Sequence, residues 1–190
     1  FLKYNAENYI SAIALIAGQI SLDEFEIVRS NSIKLPQGRG EILKLREGNI
    51  LIDFAHDHQS IQNILSELAN YHDEIILVFG CGGDRDKSKR SKMMKIAQDF
   101  ASKIFFTSDN NRYEPFSSIV KDAMAGNSYT SIEILEDRKE AINLALQCLN
   151  KENILVILGK GHETYMDVSG KKVPFNDKDC VLEILGNEIN

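Results

Sequence analysis

Strands that alternate with helices constrain this chain more than any other feature of its sequence. Five short runs rich in branched apolar residues, at 50–54, 75–79, 104–107, 132–135 and 154–158, read as strands. The four intervals between them, 60–71, 89–101, 115–124 and 138–149, repeat their apolar residues at helical spacing; Ile61, Ile64, Leu65 and Leu68 share one face of the first. Strands joined through helices have room for the crossover that parallel pairing needs, which a tight turn does not provide. The pattern therefore predicts an α/β fold, a Rossmann-like, mainly parallel sheet with helices on both faces. The tail breaks the alternation: residues 163–168 and 171–175 flank Ser169-Gly170 as a hairpin, and a last helix covers 178–185.

The first 35 residues belong to a different pattern. Tyr9, Ile13, Ala14, Ile16 and Ala17 lie at helical spacing, and a second short helix is expected from Ser21, with Glu24 completing a capping box. Pro36, Gly38 and Gly40 then interrupt any regular element, so a domain boundary is expected between residues 1–35 and 36–190. A length of 190 residues suits one domain with an appended piece, and the start at Phe1, inside a structured segment, suggests part of a longer polypeptide. A net charge of −6 disfavours a nucleic-acid binder. No apolar run is long enough for a bilayer, no signal-peptide pattern is present, and no membrane partner is expected. Cys81, Cys148 and Cys180 are odd in number and widely spaced, which points to free thiols in a reducing cytoplasm.

In an open parallel sheet, ligands bind beyond the carboxyl ends of the strands. Four polar loops directly follow strands here: AHDHQS from Ala55, GCGGDRDKSKR from Gly80, SDNNRYE from Ser108 and GKGHET from Gly159. All four should gather on one rim. A dinucleotide fingerprint beginning at Gly80 fails because Arg85 stands where the third glycine is required, and no P-loop lysine pattern occurs. What the second loop offers is a flexible backbone at Gly82 and Gly83 beside the Arg85 guanidinium, suited to a carboxylate or phosphate. The competing reading is a solvated charged loop. Asn110 and Arg112 either point into the rim or sit in an Asx turn capping the helix after Pro115. His56 and His58 lack the further ligands a zinc site needs, and His72 and His162 are read as structural.

Taken together, GCGGDRDKSKR, SDNNR and LGKGHE, in this order and on these strands, resemble the third domain of the diaminopimelate-adding Mur ligases. YNAEN and LPQGRGE resemble segments near the end of that family's central ATPase domain and just beyond it, and IDFAH resembles one of its strand ends. The resemblance implies an ATP- and Mg²⁺-dependent amide ligase. ATP would phosphorylate the D-Glu carboxylate of UDP-MurNAc-L-Ala-D-Glu, and the amine of meso-diaminopimelate would attack the acyl phosphate. It also implies that residues 1–35 close the central domain, whose P-loop and metal ligands lie elsewhere with the sugar-binding first domain. Matching positions would make Arg85, Asp109, Asn110, Asn111, Arg112, Gly159 and Glu163 the amino-acid site. Asn5, Asn8, Arg39, Asp53 and His56 would line the ATP site, Arg39 suited to phosphate and Asp53 to ribose hydroxyls.

Two motifs depart from the family's pattern. Asn111 replaces a common proline, which frees the loop's φ, and Asp57-His58 follows His56 in place of Thr-Pro. A lysine-adding Mur ligase, a folylpolyglutamate synthetase-type ligase and a non-catalytic binding module are the alternatives.

Overall fold

The computed structural model describes residues 3–16 and 36–186. The chain divides into two units, one ending at Pro36 and the other beginning at Gln37. In the first, α1 (Lys3–Ile16) is the described element. The helix expected from Ser21, with Glu24, lies outside the described residues.

The second unit is built on six strands, β1 (Glu41–Lys44), β2 (Asn49–Asp53), β3 (Glu74–Cys81), β4 (Lys103–Ser108), β5 (Ile132–Leu135) and β6 (Asn153–Leu158). Their order in the sheet is β1-β2-β6-β3-β4-β5, with every neighbouring pair parallel except β1 and β2. Five helices accompany them: α2 (His58–Leu68), α3 (Ser88–Phe100), α4 (Phe116–Met124), α5 (Arg138–Gln147) and α6 (Asp177–Leu185). A hairpin of β7 (Tyr165–Val168) and β8 (Lys171–Pro174) stands apart from the sheet. The expected architecture is present. The exception is β1, an antiparallel edge strand that the pattern did not suggest. It has four residues, and its side chains are alternately half-buried and exposed.

Strand alternation sends successive side chains to opposite faces, and both faces here are apolar because helices cover both. Ile50, Ile52, Ile76, Val78, Phe105, Leu155 and Ile157 pack with Ala141, Ile142 and Ala145 of α5 and Val181 of α6. Phe106 points the other way and stacks on Phe116 of α4, with ring centroids 6.1 Å apart. Helices α2, α3 and α4 pack against one another in sequence order, as do α5 and α6. Asp57 starts α2 by accepting from the Gln59 and Ser60 amides at 3.0 and 2.9 Å. The helices expected to reach Tyr71 and Leu149 stop at Leu68 and Gln147.

Strand β6 is inserted between β2 and β3, so the strands β2-β6-β3-β4 form a contiguous parallel block. Their carboxyl ends carry the four polar loops, which therefore meet along one edge.

Candidate functional site

Two fully buried arginines pin the strand ends from beneath. Arg138, at the start of α5, donates to the carbonyls of Ser108 at 3.3 Å and Leu158 at 3.0 Å, the last residues of β4 and β6. Its Nε and Nη2 meet both carboxylate oxygens of Asp177 at 2.7 and 2.9 Å. Burial works against the Arg138 charge, but Asp177 outweighs it and leaves the guanidinium holding its proton more tightly than usual. Arg90, in α3, donates to the Gly82 carbonyl just past β3 and makes a two-point contact with Glu114. That hydrogen-bonded pairing, chiefly, holds the Glu114 carboxyl far below the usual carboxylate range. Glu114 Oε2 also accepts the Asp84 amide at 2.9 Å, and Asp84 Oδ2 accepts the Tyr113 amide at 3.0 Å. The loops after β3 and β4 are thereby fixed to each other.

Glycine makes this contact possible. The Gly83 amide donates to the Asn110 carbonyl at 2.9 Å, and a Cβ on Gly83 would stand 2.7 Å from the Asn111 carbonyl carbon. The hairpin completes the frame. The Arg112 amide donates to the Asp167 carbonyl at 2.9 Å, and the Arg112 carbonyl accepts from Ser169 at 2.7 Å. These bonds hold Arg112 at φ +51°, a left-handed conformation that costs a non-glycine residue about 1–2 kcal/mol.

Within the frame is a cavity of about 410 Å³, lined in part by Phe54, His56, Arg85, Asn110, Arg112 and Glu163. Asp109, Gly159 and Lys89 also line it. The sheet thus brings together six of the seven residues expected to bind the amino acid. Arg85 is exposed and makes no hydrogen bond or ion pair among the described residues. Arg112 spends one nitrogen, Nη1, on the carbonyls of Gly83 at 2.7 Å and Asn110 at 3.3 Å. Asn110 is fully directed: Oδ1 accepts from the Asp167 amide at 2.8 Å, and Nδ2 donates to Glu163 at 2.9 Å. Gly159 adopts φ +115°, and a Cβ there would stand 3.1 Å from Asp109 Oδ2.

Three of the expected site residues are engaged by the protein itself. Asn111 is buried and does not line the cavity; its amide nitrogen turns inward to Ser108 Oγ at 2.9 Å. Asp53 is only 3% exposed, and its oxygens accept the Gly40 amide at 2.6 Å and the Ala55 amide at 2.8 Å. Such a carboxylate anchors the backbone entering β1 and leaving β2. The Glu163 carboxylate has a protein ammonium on one oxygen: Lys160 Nζ lies 2.8 Å from Oε2. Sequence reasoning overlooked Lys160 although its motif was noticed, because a lysine in a glycine-rich loop ordinarily reads as solvated.

Of the residues expected on the nucleotide side, Arg39 and His56 both contact Phe54. His56 reaches the cavity; Arg39 is exposed, with its guanidinium carbon 4.6 Å from the Phe54 ring centroid. Asn5 and Asn8 lie on α1 in the other unit, and their side chains are outside the described part of the structure. His162 is exposed beside Phe54, and the three cysteines are free thiols. Among the described residues, no helix is long and apolar enough to cross a membrane.

A protein from Rickettsia typhi named UDP-N-acetylmuramoyl-L-alanyl-D-glutamate--2,6-diaminopimelate ligase is 36% identical over 187 residues, 96% of this chain and 37% of that protein. A solved structure of a ligase with the same name superposes with a TM-score of 0.76 at 32% identity, covering 96% of this chain and 38% of the other. A folylpolyglutamate synthase from Thermotoga maritima shares the fold alone, at 21% identity and a TM-score of 0.51 over 74% of this chain and 31% of the other. The chain spans somewhat more than a third of the length of such curated relatives. Residues 38–161, which carry the sheet and its polar rim, match the family described as Mur ligase, glutamate ligase domain, and the chain belongs to that family.

Proposed function

We propose that this chain is the amino-acid-accepting part of an ATP-dependent amide ligase that joins meso-diaminopimelate to UDP-MurNAc-L-Ala-D-Glu in peptidoglycan precursor synthesis. In this reading, residues 1–35 close a central ATPase domain and residues 36–190 form the terminal domain. The remaining domains supply the phosphate-cradling loop and Mg²⁺ ligands, and the protein works in the cytoplasm. Exposed Ile10 and Leu15 on α1 fit a helix made to pack on a further body.

The observation that carries the proposal is the charge pattern of the cavity. An unpaired guanidinium at Arg85 and a half-engaged one at Arg112 face the same space as the outward oxygen of Glu163. Such a lining suits a ligand with carboxylates and an ammonium, and meso-diaminopimelate differs from lysine by one distal carboxylate. Relatives named for 2,6-diaminopimelate support the same choice. ATP, when bound, supplies the phosphoryl group that activates the D-Glu carboxylate; in this reading Arg39 and His56, which both contact Phe54, approach it. The chain's own part is to bind and orient the incoming amino acid.

The test compares kcat/KM for diaminopimelate and lysine in the full-length protein and its Arg112→Ala variant. Loss of a charge-assisted two-point contact of about 1.5–3 kcal/mol should reduce the preference for diaminopimelate roughly 10- to 100-fold. An unchanged ratio would remove Arg112 as the reader of the distal carboxylate. A wild-type preference for lysine would overturn the substrate itself.

A further inference from the structure

Behind the lining of the acceptor cavity lies a charged side chain that is wholly withdrawn from solvent. Lys160 is 0% exposed, and its ammonium lies 2.8 Å from Glu163 Oε2, 3.4 Å from Asn110 Oδ1 and 3.7 Å from Asp109 Oδ1. Burying a lysine ammonium is unfavourable unless partners repay the lost hydration, and few lysines are found so placed. Here the partners are two carboxylates and an amide, all three from residues that line the cavity.

Lys160 itself is not among the cavity-lining residues. It approaches Glu163 from behind. Oε2 of Glu163 receives both the Lys160 ammonium and the Asn110 amide, at 2.8 and 2.9 Å, while Oε1 has no partner among the described residues. The carboxylate is divided into an inner oxygen fixed by the protein and an outer one facing the cavity. Asp109 Oδ1 is also buried and has no hydrogen-bond partner; the Lys160 ammonium lies 3.7 Å from it, and the buried Arg138, already paired with Asp177, acts on Asp109 electrostatically. Two carboxylates against one ammonium leave a single net negative charge in the cluster, which one ligand ammonium would neutralise.

We infer that Lys160 is a positioning residue for amino-acid recognition: its buried ammonium aims Glu163 and keeps the carboxylate cluster one charge short of balance. This inference rests on the reading of the cavity as an amino-acid site. Without Lys160, Glu163 would keep its burial and lose its principal cation. Burial pushes the Glu163 carboxyl up, and the hydrogen bonds from Lys160 and Asn110 more than reverse that, so the group sits below its ordinary value. The other charged and titratable groups facing it are Asp109 and Arg112 after β4, Arg85 and Lys89 after β3, His56 after β2, and His162 on its own loop. None of these is within the hydrogen-bonding set that holds Oε2.

The experiment uses the full-length protein with the variants Lys160→Met, Lys160→Gln, Glu163→Gln and the Lys160→Met/Glu163→Gln double. In ligand-free protein carrying ¹³C-carboxyl glutamate, the signal missing from Glu163→Gln identifies Glu163. Its titration midpoint should rise by about one pH unit or more in Lys160→Met. The diaminopimelate KM should rise about tenfold or more in Lys160→Met while the ATP KM holds, and by less than about twofold when Glu163 is already Gln. Should Lys160→Met fail to fold, Lys160→Gln keeps a donor without the charge and is read in the same two ways. An unmoved Glu163 titration, or an equal KM effect with and without the Glu163 carboxylate, would overturn the inference. The titration needs no substrate, so it stands apart from a wild-type protein that declines diaminopimelate, which would instead defeat the proposed function.

Discussion

Removing the carboxylate of Asp177 should destabilise the fold far more than an ordinary ion-pair deletion does. Both partners of the Arg138–Asp177 pair are 0% exposed, so solvent cannot replace the lost carboxylate. A buried charge stripped of its counterion costs about 3–5 kcal/mol, against at most about 1 kcal/mol for an exposed pair. For a unit of about 150 residues, each kcal/mol lowers the melting temperature by roughly 2–4 °C, so Asp177→Ala should melt on the order of 10 °C early. Arg138→Met/Asp177→Ala, which deletes both charges, should recover part of that. It should not recover all, because the carbonyls of Ser108 and Leu158 would lose their donor, at roughly 1–3 kcal/mol for each left unpaired. Thermal and urea unfolding followed by circular dichroism would give the four corners of the cycle. A loss below about 1 kcal/mol in Asp177→Ala, or a double variant no more stable than the single, would refute the reasoning.

Three further outcomes are expected. The Glu114 carboxyl is depressed by Arg90, so the stability it lends is complete above the unfolded carboxylate range near pH 4 and is lost as pH falls through the lower folded value; Glu114→Gln should flatten the acid limb of a pH–stability curve and leave its neutral region shallow. Gly83→Ala should separate the loops after β3 and β4, weakening amino-acid binding in calorimetric titration of the full-length protein more than it lowers the melting temperature. The 190-residue chain by itself should form no amide product from ATP, UDP-MurNAc-dipeptide and diaminopimelate in a phosphate-release assay, since it carries no phosphate-cradling lysine loop; product from purified chain would contradict this.

The sheet was legible because its strands are buried on both faces and read as unbroken apolar runs, each bounded by polar residues. β1 was not, since Glu41–Lys44 is short and half-solvated at an edge, where little burial marks the sequence. The rim loops could be found from their polarity and position after strands, but the direction of each side chain could not. Asp53 and Asn111 carry the same functional groups whether they meet a ligand or a backbone amide, and only tertiary contacts decide. Arg90, Arg138 and Lys160 show the limit most plainly. Sequence patterns treat charge as surface, whereas each of these is paid for by partners 3 to 51 residues away.

The hairpin's hold on the recognition loop is made by the main chain. Asp167 contributes its amide to Asn110 Oδ1 and its carbonyl to the Arg112 amide, while its side chain serves the turn by accepting from Gly170. Side chains along β7 can therefore drift over evolutionary time without disturbing the geometry of Asn110 and Arg112. The segment tolerates many substitutions and is intolerant of one kind: a proline at position 167 deletes the amide that directs Asn110. A variant library across residues 165–168 selected for growth should accept broad chemical variety at position 167 and exclude that single imino acid.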